Sequence, residues 1–195
     1  MKKTIISMAF LFSCGLLTAQ TSPKNIPISL GYFGHYAIQP GLKVGTQFNL
    51  KEWKTAGDKK GKTITKYKSF FIGPQLGFFS FPGNHTSFLI SADLGYKRIK
   101  SPKNKYSAFS IGLGYLAESR VLSMVIDLSD GGVNNKEREW RNYFLPTINY
   151  EFGRQINPVL SWYGKSSLGM KLSTEREGSM SVFTELGVKI NINEL

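Results

Sequence analysis

A chain of 195 residues has room for one domain, and at 41% hydrophobic and 13% aromatic it is too rich in core-forming side chains to be a disordered polymer. One cysteine excludes a disulfide framework or a cysteine-rich zinc site, and the lack of a long apolar run beyond the N-terminus excludes a bundle of membrane-spanning helices. The formal charge of +12 is spread along the chain behind an export signal, so no nucleic-acid partner is expected.

Met1-Lys2-Lys3 is a cationic start, Ile5 to Leu17 is an apolar run too short to cross a bilayer, and Leu17-Thr18-Ala19 puts small residues before Gln20. Residues 1–19 are therefore expected to be a cleaved secretory signal, leaving 20–195 as the folded domain. Cys14 in Leu11-Phe12-Ser13-Cys14 offers a rival, lipoprotein-type cut, although Phe12 stands where that motif takes a small residue. Cleavage after Ala19 leaves a mature chain without cysteine. Rigidity in an oxidising compartment must then come from something other than disulfides, and a closed sheet supplies it.

From there the hydrophobic period is two, with no sustained helical face. Ile28, Leu30, Tyr32, Tyr36 and Ile38 alternate with polar residues up to a turn at Gln39-Pro40-Gly41, and Phe33 breaks the polar face; this segment is the first strand or a plug. Stronger alternation follows at Leu42 to Leu50, Phe70 to Phe78, Phe88 to Tyr96, Phe109 to Tyr115, Phe144 to Phe152, Leu160 to Leu172 and Met180 to Ile192. Pro82-Gly83-Asn84, Pro102-Lys103-Asn104, Asn157-Pro158 and Glu177-Gly178 read as tight turns, and Asp127 to Glu139 as a longer polar loop. Lys51 to Lys68, with seven lysines, reads as a basic connector. Pro74 and Pro146 fall inside strands and predict local irregularity, because each lacks a ladder donor.

The pattern predicts an all-β, antiparallel, up-and-down transmembrane β-barrel of about eight strands. The alternative is a secreted soluble barrel with its apolar face inward around an apolar ligand. Residue size separates the two. The interior of eight strands is barely wide enough for side chains, which suits the glycines and serines of the polar face, while the large apolar residues suit the circumference. Tyr96, Tyr115, Trp140, Tyr150 and Trp162 are candidates for interfacial girdles. Even strand number and periplasmic termini then place Gln39–Gly41, Phe81–His85, Asp127–Glu139 and Thr174–Gly178 outside and the 51–68 segment in the periplasm.

Gly83-Asn84-His85-Thr86-Ser87-Phe88-Leu89 leading into Asp93-Leu94-Gly95-Tyr96-Lys97-Arg98, with Pro40-Gly41-Leu42-Lys43-Val44-Gly45 and Arg141-Asn142-Tyr143-Phe144-Leu145-Pro146, resembles a family of small uncharacterised outer-membrane β-barrel proteins of Gram-negative bacteria. The resemblance implies an outer-membrane location and the barrel fold; it supplies no catalytic residues.

With the polar face inward, the lumen is expected to hold a network of Lys43, Gln47, Gln75, Asp93, Lys97, Glu118, Arg120, Asn149, Glu151, Lys165, Lys171, Glu185 and Lys189. Both signs are present, and buried charges must be paired or hydrated. The expected role is structural or exerted through exposed loops, without enzymatic activity. His85 and Ser87 are the one catalytic candidate, since their His-x-Ser spacing resembles that of outer-membrane lipid A deacylases, and a lipid-modifying enzyme is the alternative function. Two histidines make a histidine metal site unexpected, and Asp127, Asp130, Glu137 and Glu139 match no calcium loop. No cofactor or metal is expected. The expected partners are outer-membrane lipids, through their phosphates, and the barrel-insertion machinery.

Overall fold

The computed structural model describes residues 26–35, 39–59, 62–81, 85–101, 103–123, 136–173 and 178–191. Its elements are β1 (Pro27–His35), β2 (Gln39–Thr46), β3 (Phe48–Lys59), β4 (Lys62–Phe81), β5 (His85–Lys100), β6 (Lys105–Ser123), β7 (Lys136–Gln155), β8 (Leu160–Lys171) and β9 (Ser179–Asn191). β9 returns to pair with β1, and β2 pairs with both β1 and β4, so the sheet closes on itself. β2 and β3 run in one line along β4, with Gly45 opposite Gln75 and Phe48 opposite Ile72, so nine segments form eight staves. The molecule is an all-β, closed, antiparallel up-and-down barrel. Residues 26–35 are its first stave and not a plug.

The break between β2 and β3 has a chemical cause. Pro74 of β4 lies where Thr46 would pair, and without an N–H the ladder lapses before resuming at Ile72. Pro146 does the same on β7. Phe144 exchanges 2.9 Å backbone bonds with Leu172, pairing lapses at the next positions, and it resumes at Thr147 opposite Gly169. Both prolines keep their register on the other edge, in one row of Pro74, Ala92, Leu113 and Pro146.

Several strands outrun their alternation. The lysine-rich 51–68 segment is not a connector: after a bulge at Leu50, β3 and β4 stay paired to Lys59 opposite Lys62. Threonine, tryptophan and tyrosine between the lysines favour extended backbone, but both faces are polar, so no apolar stripe marks the hairpin. Gln39-Pro40-Gly41 is likewise strand, with His35 opposite Gln39 and Gly34 opposite Pro40. β7 begins at Lys136, inside the expected long loop. At the 101–104 turn Asn104 adopts φ 51°, a left-handed conformation that asparagine tolerates. The expected signal sequence, Cys14, Asp127 and Asp130 lie outside the described residues.

The barrel has two distinct ends. The strand ends His35 and Gln39, Phe81 and His85, Ser123 and Lys136, and Lys171 and Ser179 lie at one, here the loop end; Lys59 and Lys62, Lys100 and Lys105, and Gln155 and Leu160 lie at the other with Pro27 and Asn191, the terminal end. Between them the exterior is apolar, with large hydrophobic side chains exposed on every stave among the described residues, including Leu42, Ile90, Leu113, Ile148 and Leu186. Monomers in water rarely expose a contiguous apolar patch beyond a few hundred Å². Phe70 and Phe78 bracket this belt on β4, a separation of about 26 Å along the strand and about 20 Å along the barrel axis at a 35–45° tilt.

Candidate functional site

Alternation turns every second residue of the eight staves inward, and these side chains fill the lumen in layers. Nearest the loop end, both histidines donate to one atom: His35 Nδ1 and His85 Nε2 each lie 2.9 Å from Gln39 Oε1. Beside them Glu118 accepts from Lys171 Nζ at 2.9 Å and from Arg120 Nε at 2.5 Å. Ser87 sits opposite Glu118 on the neighbouring strand, fully buried, and its Oγ has no hydrogen-bond partner among the described residues.

Beneath this mouth lies an apolar layer of Phe33, Phe79, Leu89, Leu116, Tyr143, Leu145 and Phe183. Phe33 stacks on Phe183 with centroids 5.3 Å apart and meets Phe79 edge-on at 5.6 Å. His35 packs on Phe183 from above, and the Lys43 ammonium lies 4.9 Å from the Phe33 ring centre. The layer thus separates two polar compartments.

The compartment toward the terminal end is built on carboxylates that each serve several donors. Asp93 accepts from Lys165 Nζ at 2.5 Å, Gln75 Nε2 at 2.7 Å and Asn149 Nδ2 at 3.1 Å. Glu185 accepts from Lys43 Nζ at 2.9 Å and from the Tyr163 hydroxyl. Glu151 accepts from Lys189 Nζ at 2.5 Å, and Lys189 also reaches Gln47 Oε1 at 3.4 Å. Lys97 and Lys189 both face the Tyr106 ring, at 4.7 and 5.6 Å from its centre. A charge removed from water is tolerated when it is paired and its remaining hydrogen-bonding capacity is used, as at Asp93.

The structure thus brings all thirteen polar residues singled out from the sequence onto the lumen wall, nine of them buried, with Gln75, Lys97, Arg120 and Glu151 partly exposed. The sequence pattern does not single out Tyr106, Tyr163 or the apolar layer beyond Phe33. Their parity marks them, since Phe183 lies between Ser181 and Glu185 and Leu116 between Gly114 and Glu118, but their polarity points the wrong way. The expectation of small side chains inside holds at Gly31 and Gly187, opposed in register, where a Cβ on Gly187 would meet the Leu30 carbonyl oxygen at 2.4 Å.

His85 and Ser87 share the loop-end mouth but form no hydrogen bond with each other; His85 is committed to Gln39. Among the described residues no group of three or more histidine, cysteine, aspartate or glutamate side chains is arranged to hold a metal. Glu139 is paired with Arg141.

No protein-family model matches the chain, and no curated protein matches it. Among solved structures it is similar to Neisserial surface protein A, with a TM-score of 0.45 and 8% identity over 86% of this chain and 95% of that one. It is also similar to the β domain of the Bordetella autotransporter BrkA, with a TM-score of 0.28 and 9% identity over 85% of this chain and 97% of the other.

Proposed function

We propose that this chain is a non-conducting outer-membrane barrel, a structural element of the envelope that meets the outside through its loop-end connections. The observation that carries the reading is the combination of an apolar exterior with a lumen closed by the Phe33 to Phe183 layer between two ion-paired compartments. A porin needs a continuous aqueous path, and eight strands leave none once the lumen is filled. The short turns of the terminal end face the periplasm in this reading, and the signal at 1–19 is removed on export. Outer-membrane lipids surround the belt, and the barrel-insertion machinery delivers the chain to them.

Two other readings draw less support. A deacylase needs a serine activated by histidine at the lipid surface, whereas Ser87 points into the lumen without a bond to His85. A soluble carrier needs an apolar cavity and a polar exterior, the inverse of this arrangement.

The test is to express the full-length protein, isolate the outer-membrane fraction and compare mobility in SDS with and without boiling. A heat-dependent shift in that fraction, with no current steps when the purified protein is added to planar bilayers, is the expected result. Recovery as a soluble species overturns the membrane assignment, and stable open channels overturn the closed lumen.

A further inference from the structure

At the terminal end of the belt the exterior carries an unusual row of charge. Lys66 of β4 is opposite Lys100 of β5, Lys100 is opposite Lys105 of β6, and Lys105 is opposite Arg154 of β7. Two residues nearer the belt, Lys68 is opposite Arg98. These face outward, because Phe70, Tyr96, Phe109 and Tyr150 form the parallel row four positions along the same strands and lie on the apolar exterior.

Like charges directly opposite on a sheet repel, and a sheet normally compensates them with acidic neighbours. Here none of the six cations forms an ion pair among the described residues, whereas Lys43, Lys165, Lys171 and Lys189 inside the lumen all do. The Arg98 Nε is buried and has no hydrogen-bond partner among the described residues. Four cations in one row, spread over about 14 Å at the usual strand spacing, therefore find no counter-charge among the described residues.

We propose that this row binds the phosphate diesters of anionic glycerophospholipid, of the phosphatidylglycerol class, in the leaflet at the terminal end. The site rests on the membrane reading above and gives it a specific lipid contact. Depth argues for lipid phosphate: the row lies about 13 Å along the strands beyond the aromatic row, on the aqueous side of the acyl boundary that aromatic girdles mark. Chemistry agrees, since the lysines offer point charges and the Arg98 and Arg154 guanidiniums offer paired donors to phosphate oxygens. Trp162 opposite Arg154 and Trp53 opposite Lys68 set an indole directly beside the cations, at the headgroup level that tryptophan favours.

Those two tryptophans also report the test. In a Trp140→Phe background, the protein is reconstituted into phosphatidylcholine vesicles carrying the same mole fraction of spin-labelled phosphatidylglycerol or spin-labelled phosphatidylcholine, and quenching is compared. The expected result is a relative association constant about fivefold in favour of phosphatidylglycerol, the factor of one basic residue at an anionic surface, falling as salt is raised. The preference disappears in Lys66→Gln/Lys100→Gln/Lys105→Gln/Arg154→Gln and survives in Lys66→Arg/Lys100→Arg/Lys105→Arg. Equal quenching by the two lipids in protein that floats with the vesicles and shows the heat shift overturns the site alone. Failure to float overturns the membrane reading with it. Relief of quenching by lipopolysaccharide at a lower mole fraction than by unlabelled phosphatidylglycerol overturns the assignment to glycerophospholipid.

Discussion

Lys165 of β8 reaches across the lumen to Asp93 of β5, 2.5 Å away and 72 residues earlier in the chain, and both side chains are buried. Gln75 and Asn149 donate to the same carboxylate. Removing one partner leaves the other charge buried and unpaired. Lys165→Met is expected to lower unfolding stability by about 3–5 kcal/mol, and Lys165→Met/Asp93→Leu to recover most of the loss. Urea titration of the folded barrel followed by tryptophan fluorescence checks both, and additive losses in the double variant contradict the pairing.

Phe183 touches Phe33, Phe79 and His35, so it holds the apolar layer together from one side. Phe183→Ala is expected to cost about 3–5 kcal/mol through lost contact and the cavity left behind. Single-channel recording on the same variant stays at baseline, since the ion pairs on either side remain in place.

Gly31 and Gly187 bring β1 and β9 together where Tyr163 and Glu185 need the space above them. A side chain on Gly187 meets backbone, with Gly31 Cα only 2.6 Å from the Cβ position, and backbone does not yield as a flexible side chain does. Gly187→Val is expected to reduce the heat-resistant fraction in SDS severely, with Gly57→Val, where the Cβ meets open space, as the tolerated control.

Gln39 holds both imidazoles, and its oxygen can only accept. His35 is therefore expected to carry its proton on Nδ1 and His85 on Nε2 when neutral, opposite tautomers that ¹⁵N shifts distinguish. Gln39→Leu removes the common acceptor. The spectrum of the variant is expected to lose the Nδ1–H form of His35, with about 1–3 kcal/mol of stability.

The parts of the fold legible in the sequence are those where one strand face is uniformly large and apolar. In β9, Met180, Val182, Leu186, Val188 and Ile190 alternate against Ser181, Glu185 and Lys189, and all five are exposed on the exterior. β3 is legible only as far as Leu50, because beyond it Lys51, Lys54 and Thr55 are exposed polar residues and period two has no hydrophobic signature there. The lumen residues could be read individually from parity, but their partners could not. Lys171 meets Glu118 and not a nearer acid only because strand register and barrel closure set them at the same height, and alternation carries no information about register. Apart from Phe33, the apolar layer is hidden because a lumen-facing row need not keep one polarity.

The row shared by Pro74 and Pro146 has a mechanical consequence. The two prolines lapse the ladder between β4 and β2/β3 on one flank and between β7 and β8 on the other, dividing the barrel into two half-shells, β4 to β7 and β8 to β2/β3. The seam of β1 with β9, where the ends of the described chain meet, is unbroken from Pro27 opposite Asn191 to His35 opposite Phe183. Three luminal ion pairs, Lys165 with Asp93, Lys171 with Glu118 and Lys189 with Glu151, each run from one half-shell to the other. They act as lacing: where the wall is stitched least tightly by its backbone, the charges inside draw the two halves together, so a barrel stripped of them gapes along the proline lines before it parts at its termini.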